Sequence, residues 1–285
     1  MREELLVAVL ITASIIILVT WVYPVTADFW SLNSGWNGLE RLSSQYKAVF
    51  SPIRDISLLD PRNYTLFIIG PTTPFTEEDA IAVKTFLRRG GKVIIADDYG
   101  SANQLLEMLD LPVRIEPGVL VDPLLNIGIG QLPITYWGNK RVALNYAAAL
   151  NTSRCSICRV FLWSSPFSYL DLNNNGAYDP GEPKGPLPIG VSLNVYGGEV
   201  VVIADSSVFL NSMLDRESNK ELLNYLLGTT RPAVDDSHWQ SDTLVRFKEF
   251  LESAYKFLSL PEIKYSIAIT SPLLLVAFSR KIRKI

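Results

Sequence analysis

The chain has 285 residues, with 26 Lys and Arg against 29 Asp and Glu for a net charge of −3, and 48% of it is hydrophobic. That balance leaves no basic footprint and excludes nucleic acid as a partner. One histidine and two cysteines argue against a zinc centre and a disulfide-rich scaffold.

Both ends are apolar. Leu5 to Tyr23 is uncharged and as a helix would run roughly 28 Å, about the hydrocarbon thickness of a bilayer. The alternative, a cleaved signal peptide, lacks a small-residue cleavage site at Val22-Tyr23-Pro24-Val25. Tyr265 to Phe278 is uncharged too, interrupted by Pro272 and followed by Arg280, Lys281, Arg283 and Lys284, cations that stay on the cytoplasmic side. An interfacial helix is the alternative for that shorter run. The expected layout is a membrane span over 1–24, an extracytoplasmic α/β domain over 25–230, a linker and amphipathic helix over 231–261, a second span over 262–279 and a cytoplasmic tail over 280–285. Lipid would then hold a two-span protein with both termini inside the cell, its oligomeric state left open.

Between the ends, helix and strand alternate. Leu39 and Leu42 mark a helix before the short run Lys47–Phe50. Tyr64–Ile69 is an uninterrupted apolar strand, the pattern of one covered on both faces. Thr76-Glu-Glu-Asp79 is a capping box opening a helix with Ile81, Val83, Phe86 and Leu87 as its buried stripe. Gly90-Gly91 end it, Lys92–Ala96 is the next strand, and Ser101 caps a helix with Leu105, Leu106 and Leu109. This order predicts a doubly wound, mainly parallel sheet of Rossmann or flavodoxin type. Antiparallel additions follow, with strands at Arg141–Leu144, Val160–Trp163, Val191–Tyr196 and Glu199–Ala204, the last two joined by Gly197-Gly198. Leu222, Leu223, Leu226 and Leu227 belong to a helix ending at Gly228. Arg231–Ser241 reads as linker and Asp242–Leu260 as an amphipathic helix.

Cys155 and Cys158 are close enough to pair locally; buried free thiols and a redox CxxC are the other readings, the last weakened because a strand rather than a helix follows. The sharpest chemical signal is Asp171-Leu-Asn173-Asn-Asn175-Gly176-Ala177-Tyr-Asp179-Pro-Gly-Glu182. Oxygen-bearing side chains at positions 1, 3, 5, 9 and 12 and glycine at 6 match the calcium loop of EF-hands, with Ala177 offering its carbonyl. Pro180, Pro183 and Pro186 forbid a regular exiting helix, so a structural Ca²⁺ loop without its helix pair is expected; a polar turn that binds nothing is the alternative.

Polar clusters lie where an α/β sheet puts its ligand, at the carboxyl ends of strands. Asp97 and Asp98 follow one strand, and Asp205 and Ser206 another. Asn33, Trp36 and Asn37 sit in the Gly-containing loop before the first soluble helix, and Asp235 and His238 lie late in the chain. Helix capping and turn formation is the plainer reading for each.

Asn33-Ser-Gly-Trp-Asn-Gly38, the Thr76–Asp98 block with its Arg-Gly-Gly-Lys turn, Gly198-Glu-Val-Val-Val-Ile-Ala-Asp-Ser206 and Asp235-Asp-Ser-His238 together resemble DUF4350, a prokaryotic, archaeal family of uncharacterised membrane-anchored domains. The resemblance implies a fold similar to class I glutamine amidotransferases and to gliding-motility and ABC-transporter auxiliary domains. Amidotransferase enzymes place a cysteine nucleophile on the turn after a central strand; here that turn is Asp97-Asp98-Tyr99, which disfavours acyl transfer through cysteine. The expectation is a non-catalytic binding or scaffolding module with a calcium-stiffened loop. The alternatives are an accessory subunit with a membrane-protein partner, and a hydrolase using His238 as base with Asp97 or Asp205 orienting it.

Overall fold

Runs of Val, Ile, Leu and Phe with no polar interruption cannot face water on either side, and they settle the middle of the sheet. Tyr64–Ile69 and Lys92–Ala96 are strands whose residues after the first are all buried. In the computed structural model, which describes residues 2–23, 26–240, 243–266 and 270, the helices and strands in chain order are α1 (Arg2–Val22), α2 (Glu40–Tyr46), β1 (Val49–Ser51), α3 (Ile53–Ile56), β2 (Tyr64–Ile69), α4 (Glu77–Arg88), β3 (Lys92–Ala96), α5 (Asn103–Met108), β4 (Arg114–Ile115) and β5 (Val119–Val121). They continue with β6 (Ile134–Trp137), β7 (Lys140–Ala143), β8 (Leu150–Asn151), β9 (Arg159–Trp163), β10 (Tyr169–Asp171), β11 (Pro188–Val195), β12 (Gly198–Ile203), α6 (Asn219–Leu227), β13 (Arg231–Asp235) and α7 (Thr243–Leu258).

The chain divides into two compact units, one of Met1–Pro24 with Ser241–Ile285 and one of Val25–Gln240. The larger is built on a nine-stranded sheet of order β1-β13-β2-β3-β12-β11-β9-β6-β7. The ladders from β1 to β12 are parallel and those from β12 to β7 antiparallel. Two-stranded antiparallel sheets pair β10 with β5 and β4 with β8.

The expected mainly parallel, doubly wound sheet is therefore corrected to a mixed sheet of four parallel and four antiparallel ladders, to which the two small sheets add two more antiparallel pairs. Hairpin geometry is the reason. β11 and β12 are joined by Tyr196-Gly197, one residue earlier than the Gly197-Gly198 expected, with φ of 55° and 89°. Two successive positive φ values make the turn whose twist matches an antiparallel pair. Gly198 begins β12 instead, and a Cβ there would lie 2.3 Å from the Gly91 carbonyl oxygen.

α4 opens with the expected capping box: the Thr76 hydroxyl accepts from the Asp79 N–H, and the Asp79 carboxylate accepts from the Thr76 N–H at 2.8 Å. Its buried stripe is Ala80, Val83, Phe86 and Leu87; Ile81 faces out. α5 has no side-chain cap from Ser101. Its first turn is held by Asp97, whose Oδ2 accepts from the Ala102 N–H at 2.7 Å. α6 buries Leu222, Leu223, Leu226 and Leu227 as the spacing requires. The strand β13, expected as linker, runs between β1 and β2 with Ala233 and Val234 fully buried. Cys155 and Cys158 are joined as a disulfide, their Cα atoms 5.4 Å apart.

The two-span membrane placement is also corrected. α1 occupies the expected first segment, but it opens on Arg2, Glu3 and Glu4 and carries Thr12, Ser14 and Thr20 along its 21 residues, short of the about 20 consecutive apolar residues a span takes. Among the described residues no helix is long and apolar enough to cross a membrane. The second span and the basic tail fall almost wholly outside the described residues. With the spans go the transmembrane helices flanking the fold, the cytoplasmic termini and the extracytoplasmic domain.

Candidate functional site

Parallel strands put their carboxyl ends, and the loops leaving them, along one edge of a sheet. At the ends of β3 and β12 the chain turns into Asp97-Asp98-Tyr99 and Asp205-Ser206-Ser207. The loop before α2 joins them through Asn33, whose Nδ2 donates to Ala27 O at 2.8 Å and to Asn37 Oδ1 at 2.9 Å, while its own carbonyl accepts from Asn211 at 2.9 Å. Gly38 is needed there, because a Cβ would fall 1.8 Å from Asn33 O.

The result is a crevice of about 250 Å³. Phe29, Trp36, Tyr99 and Tyr146 supply its rings, and Asp28, Asn37, Asp98, Asn145 and Ser206 its polar groups. Phe29 and Tyr146 have φ of 59° and 52°, conformations that cost energy in non-glycine residues and concentrate at functional sites. The Ser206 hydroxyl donates to Asp98 Oδ1 at 2.7 Å. Burial pushes the Asp98 carboxyl up to about 6; the Ser206 hydrogen bond opposes this and neighbouring Asp97 adds to it.

Of the residues predicted from sequence, Trp36, Asn37, Asp98 and Ser206 line this crevice. Asn33, Asp97 and Asp205 are buried supports. Asp97 accepts from the N–H groups of Tyr99 and Ala102. Asp205 accepts from Asn145 at 2.9 Å and Ser207 at 2.7 Å, and full burial, with Asp98 second, holds its carboxyl well above the usual range. Both carboxylates thus accept from the backbone of the turns that follow or face their strands.

Asp235 and His238 form a separate cluster at the ends of β13 and β2. His238 is 6% exposed and stacks on Phe75 with ring centroids 4.0 Å apart. Its Nδ1 meets Asp235 Oδ2 at 2.5 Å and its Nε2 lies 3.4 Å from Asp79 Oδ2. Asp79 also takes Arg54 Nε at 2.9 Å. Burial opposes the imidazolium, but Asp235 and then Asp79 outweigh it and raise the histidine's pKa. The carboxylates around His238 are thus Asp235 and Asp79, and the pairing with Asp97 or Asp205 that a hydrolase would need is not formed. Next in sequence, Trp239 donates its indole N–H to Ile69 O at 2.6 Å and stacks against Phe29, 6.2 Å between ring centroids.

Sequence reasoning missed Asp28, Phe29, Asn145 and Tyr146 in the crevice and Phe75 and Asp79 at the histidine. Asp79 was legible as a cap and nothing more; His238 reaches it from the turn after β13, more than 150 positions away.

In the 171–182 loop, Asp171 accepts from the N–H groups of Asn175 at 3.2 Å and Gly176 at 2.7 Å. Glu182 accepts from Leu172 at 2.8 Å and Asp179 at 2.9 Å, and Asp179 takes the side-chain amides of Asn173 and Asn175, each at 2.7 Å. Asp171 and Glu182 are buried. Among the described residues no group of three or more Asp, Glu, His or Cys side chains is disposed to hold a metal ion.

Solved structures match the chain at low identity. The mmIFT52 N-terminal domain is 16% identical with a TM-score of 0.49, over 72% of this chain and 92% of that one. A putative ThuA-like protein from Bacteroides uniformis is 16% identical with a TM-score of 0.35, over 66% and 75%. A β-galactosidase from the Antarctic haloarchaeon Halorubrum lacusprofundi is 14% identical with a TM-score of 0.36, over 61% of this chain but 23% of that one. These likenesses are too distant to carry an activity. No curated protein matches the chain. The model of the family described as Domain of unknown function (DUF4350) matches residues 32–227, most of the chain, and the protein belongs to that family.

Proposed function

We propose that the protein is a non-catalytic binding module whose ligand occupies the crevice at the ends of β3 and β12. The observation that carries this reading is convergence: residues from the 28–37 loop, the two strand ends and the Asn145-Tyr146 turn meet around one cavity. Ligand sites are concave, largely apolar and set with a few polar groups that fix orientation. A hydrolytic reading lacks its base, since His238 is buried against Phe75 and engaged by two carboxylates. The test is a thermal-shift screen of the full chain against small neutral, anionic and cationic metabolites, repeated with Trp36→Ala. Ligands that raise the melting temperature of the parent and not of the variant support the reading; a screen in which every shift survives the substitution overturns it.

The same reading gives the 171–182 loop a structural calcium ion. Its support is the order of donor types along the loop, since the carboxylates of Asp171, Asp179 and Glu182 are not gathered as a metal-holding group; Asn173 and Asn175 aim their amides at Asp179. A half-turn of each amide replaces its N–H donors with the oxygen a hard cation takes. Calcium should bind weakly, in the ~10⁻⁴–10⁻³ M range at the weak end for loops of this donor pattern. Calorimetry should show heat that disappears in Asp171→Ala; absence of heat at millimolar calcium, with no chelator effect on melting, removes the ion.

A further inference from the structure

We propose that the crevice selects a small organic cation of the methylated-ammonium class, its charge set against the aromatic walls and the Asp28 and Asp98 side of the cavity. The proposal rests on the reading of the crevice as a ligand site and names what that site takes.

The walls come first. Trp36, Tyr99 and Tyr146 are 67%, 84% and 50% exposed, and single exposed aromatics are ordinary on a protein surface. Three around one opening, with Phe29 beside them, are another matter. Their faces carry negative charge and attract a cation placed over them.

The polar groups agree in sign. Asp28 and Asp98 line the cavity, and among the described residues no Lys, Arg or His does. Asp97 and Asp205 are fully buried next to them and are held by backbone N–H groups. Among the described residues no ion pair reaches any of these four. The resulting field is felt at the rim, where Asp98 first, then burial, then Asp28 and Asp97 raise the pKa of the Tyr99 hydroxyl.

That combination discriminates among ligand classes. An anion would be repelled by the carboxylates. A neutral polyol could use Asn37, Asn145 and Ser206 but would leave the charge uncompensated. A bare divalent metal takes about six or more oxygens, and rings supply none. A quaternary, fully methylated ammonium has no N–H donors to satisfy and presents an apolar, positively charged surface, which suits rings backed by carboxylates. The cavity, about 250 Å³, equals about eight waters at ~30 Å³ each, room for a headgroup-sized ion and not for a polymer.

The experiment is calorimetric titration of the full chain with choline and with 3,3-dimethylbutan-1-ol, which has the same shape with carbon in place of the charged nitrogen. Choline should bind at least about tenfold more tightly than the alcohol. Trp36→Ala should weaken choline by about tenfold, and Asp98→Asn should shrink the preference for choline over the alcohol. Lowering the pH from 8 to 5, which protonates Asp98, should weaken choline and leave the alcohol unaffected. Equal affinities for the two compounds overturn the charge selection while leaving the crevice as a ligand site. Choline binding that is unchanged in Trp36→Ala, or absent from the parent, overturns the proposal. The metabolite screen then decides separately whether the crevice binds anything. Both variants alter partly exposed side chains, and circular dichroism confirms that they fold.

Discussion

Two clusters of carboxylates stand on the same edge of one sheet, and they are put to opposite use. At the ends of β13 and β2, Asp235 and Asp79 close on His238, and Arg54 completes the charge balance. At the ends of β3 and β12, Asp97, Asp98 and Asp205 gather without a cation, satisfied by backbone N–H groups and one hydroxyl. Buried charges that are paired hold structure together, and buried charges that are left unpaired weaken it. The histidine cluster therefore reads as a structural clamp, which ties the Asp235–Gln240 segment to the loop before α4 through Thr72 and Thr73, whose N–H groups donate to His238 O. The crevice cluster reads as a place where stability is given up for a binding site. The two touch through the Phe29 and Trp239 rings.

The comparison breaks most sharply at the histidine. His238→Ala leaves two buried carboxylates facing an emptied space and should destabilise the protein by about 3–5 kcal/mol in urea unfolding. A loss under about 1 kcal/mol would mean that the cluster is no clamp. Asp98→Asn should do the reverse. The folded carboxyl, at about 6, lies some two units above its unfolded value, so its contribution is present below about pH 4 and is lost as pH climbs through 6, by about 3 kcal/mol if fully expressed. At pH 8 the amide should accordingly be more stable than the parent by about 1–3 kcal/mol; a destabilised variant would show that Asp98 is structural.

A pH series separates the two clusters further. The raised pKa of His238 makes its contribution complete below about pH 6.5, the unfolded value, and lost as pH rises through the folded value. Stability should therefore decline above pH 6.5 in the parent and show no such decline in His238→Gln. The smallest effect belongs to the rim. Tyr99→Ala, at a residue that is 84% exposed, should change stability by less than about 0.5 kcal/mol, so that any loss of ligand binding is a local effect.

Local signals were legible where the sequence carries its own geometry. The Thr76–Asp79 box, the apolar runs of β2 and β3, the Leu222–Leu227 stripe and the glycine-marked hairpin all appear at or within a residue of their expected places. Ile81 and Ala80 exchange roles because a helical stripe fixes a face only to within one position. β13 was not legible. Arg231-Pro-Ala-Val-Asp235 is short and bounded by charge, and what makes it a strand is the pair of neighbours, β1 and β2, between which it inserts.

The sequence by itself determined the capped start of α4, the buried strands β2 and β3, the family and the residue types available to a crevice, because capping, periodicity and strand alternation act over a few residues. The tertiary structure decided which carboxylates meet a cation and which do not. That depends on strand order, which brings Asp79 to His238 and Asp98 to Ser206 across more than 100 positions of chain. Hydrogen bonds and ion pairs act over a few ångströms, and sequence spacing carries no record of distances that only the folded sheet creates.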